Sequence, residues 1–439
     1  MNDMVPRSTT DMAAAIEAGE VKPTALLAAC LWQINRLEPE TRAWAHLDRA
    51  FAMEQARAAD ARQAAGNRLS RLDGVPFAVK DNIDTSDLPT EMGSPIHKGR
   101  RPDEDAWIVA AMHDLGMVLV GKTVTTPFGM NAPAPTRNPV DPNRTLGASS
   151  VGSAAAVAAG MVPLTVNTQN TSSTTRPAAY AGVFAFKPTH NLIPLNGCLA
   201  LCPPTATVAF MANELDDFSV LVETLGPKLP FPASAVFKLR QDPAPDDLAR
   251  CAIVRGPWWP LAETEALRAF EDFTAAIPID RTIELPVRFA DAISAHRDLI
   301  AGDMAVTMRG EYSGHHARLP EEAVSFIEAG RTLSATRYVE AMRLRRQLAV
   351  ELEARMADID ALVTLSIPGA PPFLKDGIGD GSFSMPWTFC GFPTLSLPLL
   401  ETTDRTPVGV QLIGRRNQDM DLLKMARSLL KAAASTKSG

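Results

Sequence analysis

Three segments carry most of the reactive side chains. Lys80 closes the apolar run Val75-Pro76-Phe77-Ala78-Val79. A lysine at the end of a buried strand loses hydration and its pKa falls, so its neutral amine can act as a general base. The loop Gly147-Ala148-Ser149-Ser150-Val151-Gly152-Ser153 sets hydroxyls among small residues. A second loop, 167–176, adds Thr168, Thr171, Ser172, Ser173, Thr174 and Thr175 ahead of Arg176. A hydroxyl nucleophile needs a nearby base and backbone N–H groups aimed at an oxyanion. The lysine and the two loops can supply both. Ser/Thr clusters also make ordinary turns, and strand-end lysines also snorkel to solvent, so residue type alone leaves both readings open.

Other chemistries fit less well. Gly116-Met117-Val118-Leu119-Val120-Gly121-Lys122-Thr123 matches P-loop spacing literally. A phosphate cradle needs a flexible loop between its glycines, and here the intervening residues are apolar and read as a strand. The histidines His46, His97, His113, His190, His296, His315 and His316 show no ligand spacing. Cys198 and Cys202 lack the second pair that a zinc site needs. No metal and no cofactor is expected. Gly-x-Ser-x-Gly, the mark of a nucleophile elbow, does not occur. The adjacent His315-His316 is expected at the surface.

These segments sit in a chain of alternating elements. Ser8 or Thr9 can cap a helix over 11–18 that Gly19 ends, and Thr24 can cap a second. A third, Ala-rich helix spans 48–65. Apolar runs at 75–79, 117–120, 164–166, 183–186, 361–365, 394–398 and 408–413 read as strands, with a helix at 107–115 and an Ala-rich one from 154. This alternation predicts an α/β fold with a large mixed sheet covered by helices. A Pro-rich stretch near 228–250, with Pro230, Pro232, Pro243 and Pro245, reads as a surface connection. Long helices are expected from 263 to 352 and from 420 to 433.

The 439 residues are 46% hydrophobic and 21% charged with a net charge of −7, which suits a globular core and argues against nucleic-acid binding. Five cysteines, an odd number, argue against a disulfide framework. No signal-like h-region and no membrane-length apolar run is seen, so a cytoplasmic protein without a membrane partner is expected. Proline, at 35, outnumbers glycine, at 27, in a loop-rich chain.

Gly74-Val75-Pro76-Phe77-Ala78-Val79-Lys80-Asp81-Asn82, the Gly147–Gly160 segment and Thr168–Pro177 together resemble the amidase signature family. Gly121-Lys122-Thr123, Phe186-Lys187-Pro188-Thr189, Gly391–Pro398 and Pro407–Gly414 fall in the same family order. The resemblance covers nearly the whole chain. It implies one amidase-like α/β/α domain over 1–439, with a signature core near 75–225 and a variable, mainly helical substrate-side region near 228–355. It also implies a Ser–cis-Ser–Lys triad. Lys80 then matches the base, Ser149 the bridging serine behind a cis peptide, and Ser173 the nucleophile. The backbone N–H groups of Asn170, Thr171, Ser172 and Ser173 match the oxyanion hole. Gln169 and Arg176-Pro177 resemble a malonamidase-like branch, in which Arg176 would meet a substrate carboxylate. Loop packing through backbone carbonyls is the equal alternative for that arginine.

Some positions depart from the family pattern. Ala148, Val151, Thr171 and Ser172 stand where glycines are usual, so the loop backbone should differ or be strained. Ala206 and Asn213 replace an Asp and an Arg together, which leaves no orphan charge. Trp258, Trp259 and Trp387 are candidates for an acyl pocket. The implied activity is hydrolysis of a small amide through an acyl-enzyme on Ser173. The alternatives are a carbamate or ester hydrolase, an acyltransferase, or a catalytically impaired binding protein. A homodimer is compatible with the sequence.

Overall fold

The computed structural model describes residues 7–230, Val236 and 248–437. Among them, one sheet holds eleven strands: β1 (Trp44–Leu47), β2 (Pro76–Lys80), β3 (Val118–Thr123), β4 (Leu164–Gln169), β5 (Phe184–Lys187), β6 (Thr207–Ala212), β7 (Cys251–Arg255), β8 (Thr282–Glu284), β9 (Ala361–Leu365), β10 (Thr394–Glu401) and β11 (Pro407–Gly414). Their spatial order is β1-β3-β2-β4-β6-β5-β10-β11-β9-β7-β8. β2 runs parallel to β3 and β4, and β7 to β8 and β9; the other neighbours are antiparallel.

Strand periodicity divides the core. Side chains alternate between the two faces of a strand, and Phe77 and Val79 join one apolar cluster while Ala78 joins another. Leu119 and Phe210 follow the first set; Val118, Val120 and Met211 follow the second. The second cluster also holds Ala154, Ala155 and Ala156 of the helix Val151–Ala158. Their short side chains let that helix lie close to the strands. Helices thus cover both faces, as the sequence pattern predicts for a mixed α/β sheet.

The structure corrects several local expectations. Ser8 caps the first helix, Thr9–Glu17, by accepting from the Asp11 N–H. Thr24 does not cap the second, which starts at Pro23. The Thr24 N–H and hydroxyl instead donate to the Asp60 carboxylate at 3.0 and 2.7 Å. The last six residues of the P-loop pattern are β3 itself, and all six are buried; Gly116 sits in the turn before it. Gly121 is there because a Cβ would collide with the His46 carbonyl of β1. The 228–355 region carries the helices Thr264–Ala275, Asp291–Thr307, Glu321–Thr332 and Ala335–Arg355, but it also supplies β7 and β8 to the sheet. β8 has three residues, too few for periodicity to register. β1 and β6 were also missing from the sequence pattern. Pro232, Pro243 and Pro245 lie outside the described residues.

Candidate active site

Parallel pairing brings the reactive segments to one edge. β2 and β4 run side by side, with Ala78 opposite Thr165 and Val79 opposite Val166. Their C-terminal ends therefore release Lys80 and the 170–173 loop together, the position where open α/β sheets gather ligands. Lys80 shares the face of Ala78, two residues before it, and so meets the chain entering the helix Val151–Ala158.

There the Lys80 Nζ lies 2.6 Å from the Ser149 Oγ. Both side chains are buried, and the Ala148–Ser149 peptide is cis. Burial pulls the Lys80 pKa down to about 7, with no charged neighbour opposing it. Ser149 is the only described residue whose side chain bonds to this amine. The Ser150 N–H donates to the Ser173 carbonyl at 3.2 Å, tying the two loops together. Ser173 itself is half-buried.

Gln169 shapes the loop before Ser173. Its Oε1 accepts from the Thr174 and Thr175 N–H groups at 2.8 and 2.9 Å, and its Nε2 donates to the Thr388 hydroxyl at 3.0 Å. The amide so occupies the leading N–H groups of the helix Thr175–Ala181 from inside. Among the described residues, none accepts from the backbone N–H groups of Asn170, Thr171, Ser172 or Ser173. A run of unoccupied donors beside a hydroxyl is what a developing oxyanion needs.

The missing glycines cause no strain. Only Gly147 in these loops has a positive φ, +77°, and the non-glycine residues with positive φ are elsewhere: Arg42, Met92, Phe128, Asn191, Arg405 and Asn417. Ala148, Val151, Thr171 and Ser172 occupy ordinary backbone. The space that Ser172 fills is returned at Gly381, where a Cβ would collide with the Ser172 hydroxyl. Of the two outcomes the sequence allows, strain and an altered loop backbone, strain from a positive φ is absent.

Arg176 is 4% exposed. It donates from Nη1 to the Gly379 carbonyl at 2.8 Å, and from Nη2 to the Ala148 carbonyl at 2.9 Å and the Asn131 Oδ1 at 3.1 Å. Its Nε has no partner among the described residues. With Thr171, Ser172, His296 and Met385 it lines a cavity of about 710 Å³ rimmed by Arg297, Asp298, Glu321, Glu322 and Asp380.

None of the three tryptophans lines this cavity. Trp258 stacks edge-on against Trp387 in the core, and partly buried Trp259 packs edge-on against Phe270 at its margin. His315 and His316 are exposed, as expected.

Three polar side chains beside the site were not legible in the sequence. The Asn82 Nδ2 donates to the Thr168 hydroxyl at 2.9 Å, and its buried Oδ1 has no partner among the described residues. His296 reaches the site from the helix Asp291–Thr307, and burial holds its pKa down to about 4, so it is neutral near pH 7. Glu322 contacts Asn131 across 191 residues of sequence. Only Asn82 lies in a motif, Gly74–Asn82, that could have marked it.

The family described as Amidase matches residues 25–423 of this sequence. The chain belongs to the amidase family. A glutamyl-tRNA(Gln) amidotransferase subunit from Thermobifida fusca is 30% identical over 498 aligned residues, spanning 100% of this chain and 98% of that one. The corresponding subunit from Chloroflexus aurantiacus is 39% identical over 231 residues, which is 51% of this chain and 47% of the relative. In that comparison the chain spans about half the length of the relative it matches. Peptide amidase from Stenotrophomonas maltophilia superposes with a TM-score of 0.84 at 24% identity, covering 97% of each chain; it shares the fold. No described helix of this amidase-family chain is long and apolar enough to cross a membrane.

Proposed function

We propose that the chain is an amidohydrolase that cleaves a small amide through an acyl-enzyme on Ser173. The observation that carries the reading is the buried 2.6 Å contact between Lys80 and Ser149 beside the unoccupied N–H groups of residues 170–173. Neutral Lys80 takes the Ser149 hydroxyl proton as Ser149 takes that of Ser173. The Ser173 Oγ attacks the amide carbonyl, and the oxyanion settles on the N–H groups of Asn170, Thr171, Ser172 and Ser173. The proton returns through Ser149 to the departing amine, and the C–N bond breaks. Water, deprotonated by the same relay, then attacks the acyl carbonyl. The acid leaves, and the Ser173 hydroxyl re-forms.

The mixed charge around the cavity favours a small polar substrate over a lipid. Three of the Arg176 hydrogen bonds end on this chain's own oxygens, which favours loop packing over capture of a substrate carboxylate. Cys30, Cys198, Cys202 and Cys390 are free thiols, which fits a reducing, cytoplasmic compartment. The relatives carry the name of an amidotransferase subunit. That supports a second reading, in which a partner chain joins this one and an amine acceptor replaces water at the acyl-enzyme.

A fluorophosphonate probe with peptide mapping tests the assignment. The expected result is one adduct, on Ser173, that is lost in Ser173→Ala and slowed in Lys80→Met. An adduct that survives Ser173→Ala sinks the proposal. Amide turnover with and without added amine separates hydrolysis from transfer.

A further inference from the structure

The guanidinium of Arg176 is held from two sides, and one of them belongs to the helical region. On the inner side its Nη2 donates to the carbonyl of Ala148, the peptide group that leads into Ser149. On the outer side the same nitrogen donates to the Asn131 Oδ1 at 3.1 Å. Asn131 is itself gripped by Glu322: its backbone N–H donates to Oε2 at 2.9 Å and its Nδ2 to Oε1 at 3.3 Å. One unbroken chain of hydrogen bonds thus runs from Glu322 through Asn131 and Arg176 to the residue before Ser149.

The far end of this chain is firmly placed. Glu322 lies in the first turn of the helix Glu321–Thr332. Ala323 and Ile327 of that helix are buried in a cluster with Phe128 and Met130, the residues just before Asn131. At its other end Gly330 lies so close to the Ala301 carbonyl that a Cβ would collide with it. The helix is therefore packed against both the helix Asp291–Thr307 and the 127–130 turn. Gly129 of that turn faces the site, since a Cβ there would lie 3.5 Å from the Ser149 Oγ.

We propose that Asn131 and Glu322 are positioning residues for Ser149. They hold Arg176, and through it the Ala148 carbonyl, in the register that keeps the Ser149 hydroxyl on Lys80. Neither residue touches the reacting atoms. The helical region thereby sets the rate of the chemical step as well as walling the cavity. The inference rests on the triad proposed above.

The test is a charge swap. Asn131→Asp keeps an acceptor for Arg176 but sets a second carboxylate against Glu322. Glu322→Gln removes one of the acceptors used by Asn131. Adding Glu322→Gln to Asn131→Asp lets the new amide donate to the new carboxylate: that one side-chain link is remade with reversed polarity, while the backbone N–H of residue 131 and the Arg176 Nη2 go on donating as before. Each single variant should lower kcat at saturating substrate and the fluorophosphonate labelling rate of Ser173, with the thermal midpoint nearly unchanged. Misplacing a reacting group by about 1 Å costs on the order of a hundredfold, so losses of about ten- to a hundredfold are expected. The double variant should return to near the parental rate.

If the parent is labelled at Ser173 and the single variants react just as fast, the inference fails and the triad stands. A double variant no faster than the worse single one also overturns it. If the parent is not labelled at Ser173, the triad reading fails first, and this inference with it.

Discussion

Lys80 and Lys187 are the same residue type in nearly the same setting. Each is the last residue of a strand in one sheet, each follows an apolar run, and each is fully buried. Burial pulls both pKa values down to about 7. Their partners differ. The Lys187 Nζ donates to the carbonyls of Phe392 and Pro188 at 2.5 and 3.2 Å, and the Asp419 carboxylate acts to keep it charged. Carbonyl and carboxylate oxygens only accept, so they suit an ammonium. Lys80 meets one hydroxyl, which can accept a hydrogen bond or give up its proton. Depth makes a lysine easy to neutralise; the company it keeps decides whether the lone pair has a task. Lys122 belongs with Lys187. It donates to the Ile83 carbonyl and to the hydroxyls of Thr90 and Thr85, with Asp81 at 3.8 Å.

The largest test of this contrast is Lys80→Met. It should lower kcat by about 10⁴-fold or more, as losing a member of a catalytic unit does. Its thermal midpoint should hold, because an apolar chain of similar size replaces an amine that burial disfavours. A mutant that keeps more than a hundredth of its activity would break the comparison. Lys187→Met should do the reverse. It takes the donor from two buried carbonyls and the nearby cation from Asp419, at a cost of about 3 kcal/mol in urea unfolding, while the folded fraction keeps its kcat.

The pH profile sharpens the same point. The proposed base, Lys80, works when neutral, so kcat/KM should climb about tenfold per pH unit below about 7 and level off above it. His296, held near 4, is uncharged through that range. His296→Asn should therefore leave the midpoint of the limb where it is. A limb that vanishes in that variant would reassign the titrating group. A smaller effect is expected at the loop. Gln169→Met frees the Thr174 and Thr175 N–H groups and should cost about 1–2 kcal/mol of stability, with a modest fall in kcat.

The sequence already distinguished some of this. Lys80, Ser149 and Ser173 stand in segments whose residue types and spacing agree with a known pattern, and the apolar runs that carry them are strands. The local pattern alone does not separate Lys80 from Lys187, because Phe184-Ala185-Phe186-Lys187 reads like Phe77-Ala78-Val79-Lys80; only the family resemblance points to Lys80. The difference comes from Phe392 and Asp419, more than two hundred residues downstream. Asn131, Glu322 and the grip of Gln169 were hidden for the same reason. Strand β8 is illegible because pairing with β7, rather than three residues of pattern, defines it; β7 is as long as β2, and its Cys251-Ala252-Ile253-Val254 run is open to the same reading. The glycine deficit points to a changed loop backbone or to strain, and strain is absent: residues 148, 151, 171 and 172 have no positive φ.

The sheet finishes in a short strand on either side. β1 has four residues and β8 has three, and β8 shows exposed Thr282 and Glu284, with Glu284 paired to Arg255. A long flat rim would offer passing chains a template for further pairing. These rims are a few residues long, and one is charged. An eleven-strand sheet finished in this way gives a crowded solution little backbone on which to polymerise.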